Sequence, residues 1–176
     1  IAATKKMLED LKLENKIETF SISINAVNSK THSKVLRVPK STFSRLKENL
    51  KYISQMQNNW KTGMLIFNFV VNKYNYKDMI KFVDFAKRHN AHASFWGIRD
   101  YHVDEFMKWD YKDLAVHKKE HPEHNKLKKI LTSNAFDRKK VSLYYCLQQI
   151  RDEALKEQEQ SFGYKFKRFL EEQELI

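Results

Sequence analysis

The sequence predicts an α/β fold built on parallel strands, and two observations carry that expectation. Apolar and polar residues alternate strictly over Thr19-Phe-Ser-Ile-Ser-Ile-Asn25, the two-residue period of a strand. Two further runs rich in β-branched and aromatic residues, Gly63–Val71 and Ala91–Ile98, read as strands as well. Segments of helical period precede and separate them, so residues 1–98 read α-β-α-β-α-β. Helices between strands at this spacing imply right-handed crossovers and parallel pairing.

Each element has a local reason. Ala2–Leu13 puts Met7, Leu8 and Leu11 on one helix face, with Thr4 able to cap. In Thr19–Asn25, Phe20, Ile22 and Ile24 point one way and Ser21, Ser23 and Asn25 the other. Ser41–Gln57 repeats Phe43, Leu46, Leu50 and Ile53 at helical spacing behind a Ser or Thr cap. Met64–Val71 is almost continuously apolar, as expected where both sheet faces are covered. A third helix starts at Asn75 and carries Met79, Ile80, Val83, Phe85 and Ala86. It stops near His89-Asn90, where asparagine suits a left-handed cap.

After Arg99 the pattern breaks. Val103–Trp109 reads as a short helix and His117–His124 as a polar stretch with a proline. Asn125–Leu131 and Val141–Glu159 read as helices, the latter with Tyr144, Leu147 and Ile150 as its stripe. Gly163 separates a last amphipathic helix, Tyr164–Gln173. The alternating charges of Arg151–Gln160 suit a solvated helix face.

Composition narrows the function classes. The chain has 176 residues, 33 Lys plus Arg against 22 Asp plus Glu, and a net charge of +11. With 41% hydrophobic residues, twelve Phe and eight Tyr, disorder is excluded; three Gly and two Pro exclude collagen-like and low-complexity readings. One cysteine, Cys146, excludes an intrachain disulfide, a CxxC pair and a thiolate zinc site, and suits a cytoplasmic protein. The longest uncharged runs, Thr19–Ser29 and Thr62–Asn72, are too short and too polar to span a bilayer, and no secretory signal is visible. Residue 1 is Ile rather than Met, which suggests processing or a piece of a longer chain.

Several residues could carry chemistry. The polar set Ser21, Ser23 and Asn25, with Asn68 inside an apolar strand and Asn72 and Arg99 at strand ends, suits a ligand bound at the C-terminal tips of parallel strands. The alternative is that these groups bond water and loop backbone. His117-Lys-Lys-Glu-His121 matches an H-x-x-E-H metal pattern, but Pro122 disfavours a helix at His121 and the flanks lack an apolar stripe. The basic clusters Lys126–Lys129, Arg138–Lys140 and Lys165–Arg168 would attract polyanions, without any nucleic-acid-binding signature. Cys146 sits on an apolar helix stripe and reads as a buried structural thiol.

Several stretches resemble radical SAM enzymes. Ser21-Ile-Ser-Ile-Asn-Ala-Val-Asn-Ser-Lys-Thr-His32 is similar to their SID-A-sketY stretch, and Phe43-Ser-Arg-Leu-Lys-Glu-Asn-Leu50 to the helix that follows. Phe67-Asn-Phe-Val-Val-Asn-Lys-Tyr-Asn75 and Met79-Ile-Lys-Phe-Val-Asp-Phe-Ala86 resemble the next strand and helix. Ala115-Val-His117 and His121-Pro-Glu-His124 resemble a tail found in one subgroup.

The resemblance implies a three-stranded parallel β-α portion of a partial (β/α)6 TIM-like barrel over residues 1–100. An irregular extension over 101–140 and C-terminal helices over 141–176 would follow. In that family the barrel holds a [4Fe–4S] cluster on a C-x3-C-x2-C loop, and S-adenosylmethionine, whose methionine amine binds a Gly-Gly-Glu stretch. Both motifs are absent here, so the chain resembles the C-terminal part of a longer enzyme. The intact parent would cleave S-adenosylmethionine reductively and abstract hydrogen from a substrate. This chain alone would hold no cluster and bind the cofactor weakly. By resemblance Ser23 and Asn25 would lie near the cofactor ribose, with Asn25 in place of the commoner Asp. Asn68 would line the barrel and Arg99 would end its last strand. The expected partner is the missing N-terminal half of the barrel or a second copy. The rivals are a binding module without chemistry, completing its sheet with a partner, and a basic nucleic-acid-binding domain.

Overall fold

The computed structural model describes residues 5–12, 17–59, 64–100 and 110–172. In chain order these form α1 (Lys5–Asp10), β1 (Thr19–Ser23), α2 (Ser29–Leu36), α3 (Thr42–Asn59), β2 (Met64–Val71), α4 (Met79–Arg88), β3 (His92–Gly97), α5 (Tyr111–Leu114), α6 (His124–Leu131), β4 (Val141–Leu143) and α7 (Cys146–Glu172). One 3₁₀ turn, Tyr76–Asp78, leads into α4, and a second, Asn134–Asp137, precedes β4.

The sheet is parallel throughout and runs β1-β2-β3-β4. Strands added always on the same side by right-handed crossovers place every connecting helix on one face. The core agrees. Leu65, Phe67, Phe69 and Val71 of β2 and Ala93 and Phe95 of β3 are buried with Leu46 and Leu50 of α3 and Phe82 and Phe85 of α4. Phe82 is its hinge, with ring centroids 4.6 Å from Phe69 and 5.5 Å from Phe95.

Four expectations are corrected. The sheet has four strands, not three. Val141–Leu143 pairs with Ala93–Phe95 as β4, where a helix start was expected. The terminal helix runs unbroken through Gly163 from Cys146 to Glu172. Among the described residues β2 is fully buried on one face only, since Leu65, Phe67, Phe69 and Val71 are buried while Ile66, Asn68 and Val70 are half-buried and Met64 is 42% exposed. Its apolar even-numbered residues made it look two-sided.

Helix α2 was not read from the sequence. Asn28 caps it, accepting from Thr31 N at 2.8 Å, and Arg37 ends it in the left-handed region at φ 54°. The left-handed stop expected at the end of α4 is present, with Asn90 at φ 53°. The short helix expected at Val103–Trp109 lies outside the described residues. So do the ends of the first helix, Ala2–Thr4 and Leu13.

Candidate functional site

The face of the sheet turned away from the helices carries a polar row. The register sets Ser23 beside Asn68, Asn68 beside Ser94 and Ser94 beside Ser142, one residue from each strand. The parallel period forces this, because paired residues in neighbouring strands share a face. Ser23 is exposed and Asn68 and Ser142 half-buried, while the Trp96 indole N–H donates to Ser94 Oγ at 2.7 Å and roofs it. Asn68 Nδ2 donates to Ser21 Oγ at 2.6 Å, and Ser142 Oγ pairs with His92 Nε2 at 2.9 Å. Asn68 and the exposed Ser23 thus stand side by side in the register as an amide and a hydroxyl.

Asn25 behaves differently. Its Oδ1 accepts from Val70 N at 2.8 Å, continuing the β1–β2 ladder one step past the end of β1. Asn75, fully buried, closes the same corner: its Nδ2 donates to Asn25 O and Val70 O at 3.1 and 2.9 Å, and its Oδ1 accepts from Asn72 N at 2.8 Å. These carboxamides satisfy backbone at the strand tips. The loop-backbone alternative describes Asn25 and Asn72, while Ser23 and Asn68 lie side by side on the face away from the helices.

Arg99 stands two strands away, past the end of β3, beside a cavity of roughly 320 Å³. Its guanidinium carbon lies 5.7 Å from the Trp96 ring and 5.4 Å from the Tyr145 ring. Trp96 stacks flat on Tyr144, 4.0 Å between centroids and 5° between planes. Tyr145 holds a left-handed backbone at φ 49°, a costly choice for an aromatic residue. At the back of this cavity Gly97 brings His117 and Cys146 together. A Cβ on Gly97 would stand 2.7 Å from Cys146 Sγ and 3.3 Å from His117 Nδ1.

His117 is 9% exposed, and its Nδ1 has no hydrogen-bond partner among the described residues. Burial, helped by the nearby Lys118 charge, pushes its pKa from 6.5 down to about 4, so the ring is neutral at pH 7. Burial likewise raises the Cys146 thiol above its ordinary range, so both groups that border Gly97 are uncharged at pH 7. The sequence reading passed over this pair. The one available sign was a glycine at a strand end in a chain with only three.

The H-x-x-E-H stretch does not form a metal site. His121 Nδ1 accepts from Glu123 N and its Nε2 bonds Asp113 O, both at 3.0 Å, so both ring nitrogens are engaged by backbone. No cluster of three or more metal-ligating side chains occurs among the described residues. A four-iron cluster held by three thiolates does not fit a chain whose only cysteine is Cys146.

No family model, curated protein or solved structure matches this chain. Among the described residues no helix is long and apolar enough to cross a membrane.

Proposed function

We propose that this chain is the cofactor-facing C-terminal part of a radical SAM-type barrel, with the cluster-bearing strands supplied by another stretch of polypeptide. The observation that supports this most is the uncovered polar face of a singly wound parallel sheet. Parallel sheets are ordinarily covered on both faces, and a barrel is the arrangement in which strands in sequential order carry helices outside, close their other faces on one another and bind ligands at the C-terminal strand ends. Four strands in that order, with Ser23 and Asn68 adjacent on the face away from the helices, would form one side of such a cradle.

In this reading Ser23 and Asn68 hold the hydroxyl groups of S-adenosylmethionine. Asn25 serves by fixing the β1 and β2 tips rather than by touching the ligand, and Arg99 lies at the rim. Together with a cluster held elsewhere, the cofactor would supply hydrogen-abstraction chemistry to an unidentified substrate. This chain contributes binding surface and shape. Its partner is the remaining half of the barrel or a second copy, joined across the free edge of β1 and the open face.

The experiment is a titration of the ¹⁵N-labelled chain with S-adenosylmethionine, followed by amide chemical shifts, which register even millimolar binding. The expected shifts concentrate at Ser21, Ser23, Asn68 and Ser94 and vanish in Ser23→Ala/Asn68→Ala. Shifts absent at millimolar cofactor, or confined to residues off the open face, overturn the proposal.

A further inference from the structure

The cavity past the end of β3 adjoins the polar row through Trp96, which bonds Ser94, but no residue of that row lines it. One wall is aromatic: Trp96 stacks flat on Tyr144, and Tyr145, 69% exposed, lies against both with ring centroids 5.8 and 6.4 Å away. Its rim carries the Arg99 guanidinium, which no carboxylate among the described residues engages in an ion pair. Its floor carries His117, nine-tenths buried, with Nδ1 turned toward the space beside Gly97 and lacking a partner there.

A buried polar nitrogen without a partner is destabilising, a penalty that a ligand atom can remove. A guanidinium presents a planar fork that suits a carboxylate held by two parallel bonds. A volume of roughly 320 Å³ is at the small end for organic ligands. Asp100 also lines the cavity but has a partner of its own, so an anion would sit on the Arg99 side.

We propose that this cavity binds a small aromatic carboxylate, its ring lying against the wall that Trp96, Tyr144 and Tyr145 form and its carboxylate held by Arg99 and the His117 Nδ1–H. Gly97 is what makes the site possible, since a side chain there would fill the gap that His117 and Cys146 border. The inference does not rest on the reading of the open face. The cavity would bind such a ligand whether or not Ser23 and Asn68 meet a cofactor.

Cys146 supplies the assay. It is the only cysteine and it lines the cavity, so its alkylation by iodoacetamide, followed by intact mass, reports occupancy of this site alone. Benzoate is the probe, benzamide supplies the ring without the charge, and cyclohexanecarboxylate supplies the charge without the planar ring. A ligand that covers the thiol slows alkylation about tenfold at ten times its dissociation constant. Benzoate is expected to protect in this way while the two controls protect far less. Arg99→Gln, at an exposed rim position, is expected to keep the circular dichroism of the parent and lose the protection.

Calorimetry on the unmodified chain is the second readout and should give the same ranking. Four results overturn the proposal: no benzoate protection and no heat at tens of millimolar, equal protection by benzamide, protection that survives Arg99→Gln, or adenosine protecting better than benzoate. The last would make the cavity a nucleoside site.

Discussion

His117 shows how one buried side chain can set the acid response of the fold. Its ring is neutral in the folded chain down to about pH 4 and would take a proton near pH 6.5 once unfolded. Between those values the unfolded state binds the extra proton, so stability rises with pH. The contribution is complete above pH 6.5 and lost as the pH falls towards 4, an effect on the order of 3 kcal/mol at most. Burial lowers His32, His89 and His92 as well, so they steepen the same slope. Urea denaturation at a series of pH values should show stability falling through this window, and His117→Asn should flatten the curve. An unchanged slope would place the cause in the other three histidines. The same attention to single atoms separates Asn25 from Ser23. Both sit on the strand tip that the sequence marks as polar, but the carboxamide of Asn25 completes a backbone ladder, whereas the Ser23 hydroxyl stays exposed.

At the level of elements, α7 offers the cleanest test. It passes through Gly163 without a break, and nothing lies within 4 Å of where a Cβ would stand. Gly163→Ala should therefore raise stability by about 1 kcal/mol, less if the last turns fray, read as a higher midpoint in thermal denaturation. A loss of stability would mean the helix bends at that glycine. Gly163 looked like a boundary because glycine usually ends a helix, yet here tertiary support of the first turns by buried Leu147 and Ile150 carries the helix onward. The same kind of override explains β4. Three residues cannot display a period, and Val141-Ser-Leu143 becomes a strand only because β3 offers an edge to pair with. The elements β1, β2, β3, α3 and α4 were legible because each is long enough to show its period. Ser23 and Asn68 were legible for the same reason, being polar at positions where the strand period is otherwise apolar. The Gly97, His117 and Cys146 cluster was not, since loop geometry brings its members together from three separate segments and no local pattern encodes that.

At the scale of the whole molecule, the unresolved demand is the half-covered sheet. Met64, Ile66 and Val70 of β2 and Trp96 of β3 stand on the face that no helix of the described residues covers, and among these residues β1 forms an edge of the sheet. A parallel sheet in this state favours any partner that buries it. A second copy meets an obstacle, since two chains of charge +11 repel one another. Salt therefore separates the candidate partners by sign. Screening shortens the reach of the repulsion, to about 8 Å at physiological ionic strength, so self-association should strengthen as salt rises. Binding to a polyanion should weaken over the same range, because released counterions drive it. Light scattering at increasing protein concentration should show mass above the 21.2 kDa monomer, more so at high salt. Val70→Lys, which puts a charge on the open face without touching the core beneath, should return the chain to monomer with its circular dichroism unchanged. A monomer at every concentration and salt would remove the second copy as the occupant of this face. The proposed cluster-bearing strands, a different stretch of polypeptide, would then stand as the candidate to cover it.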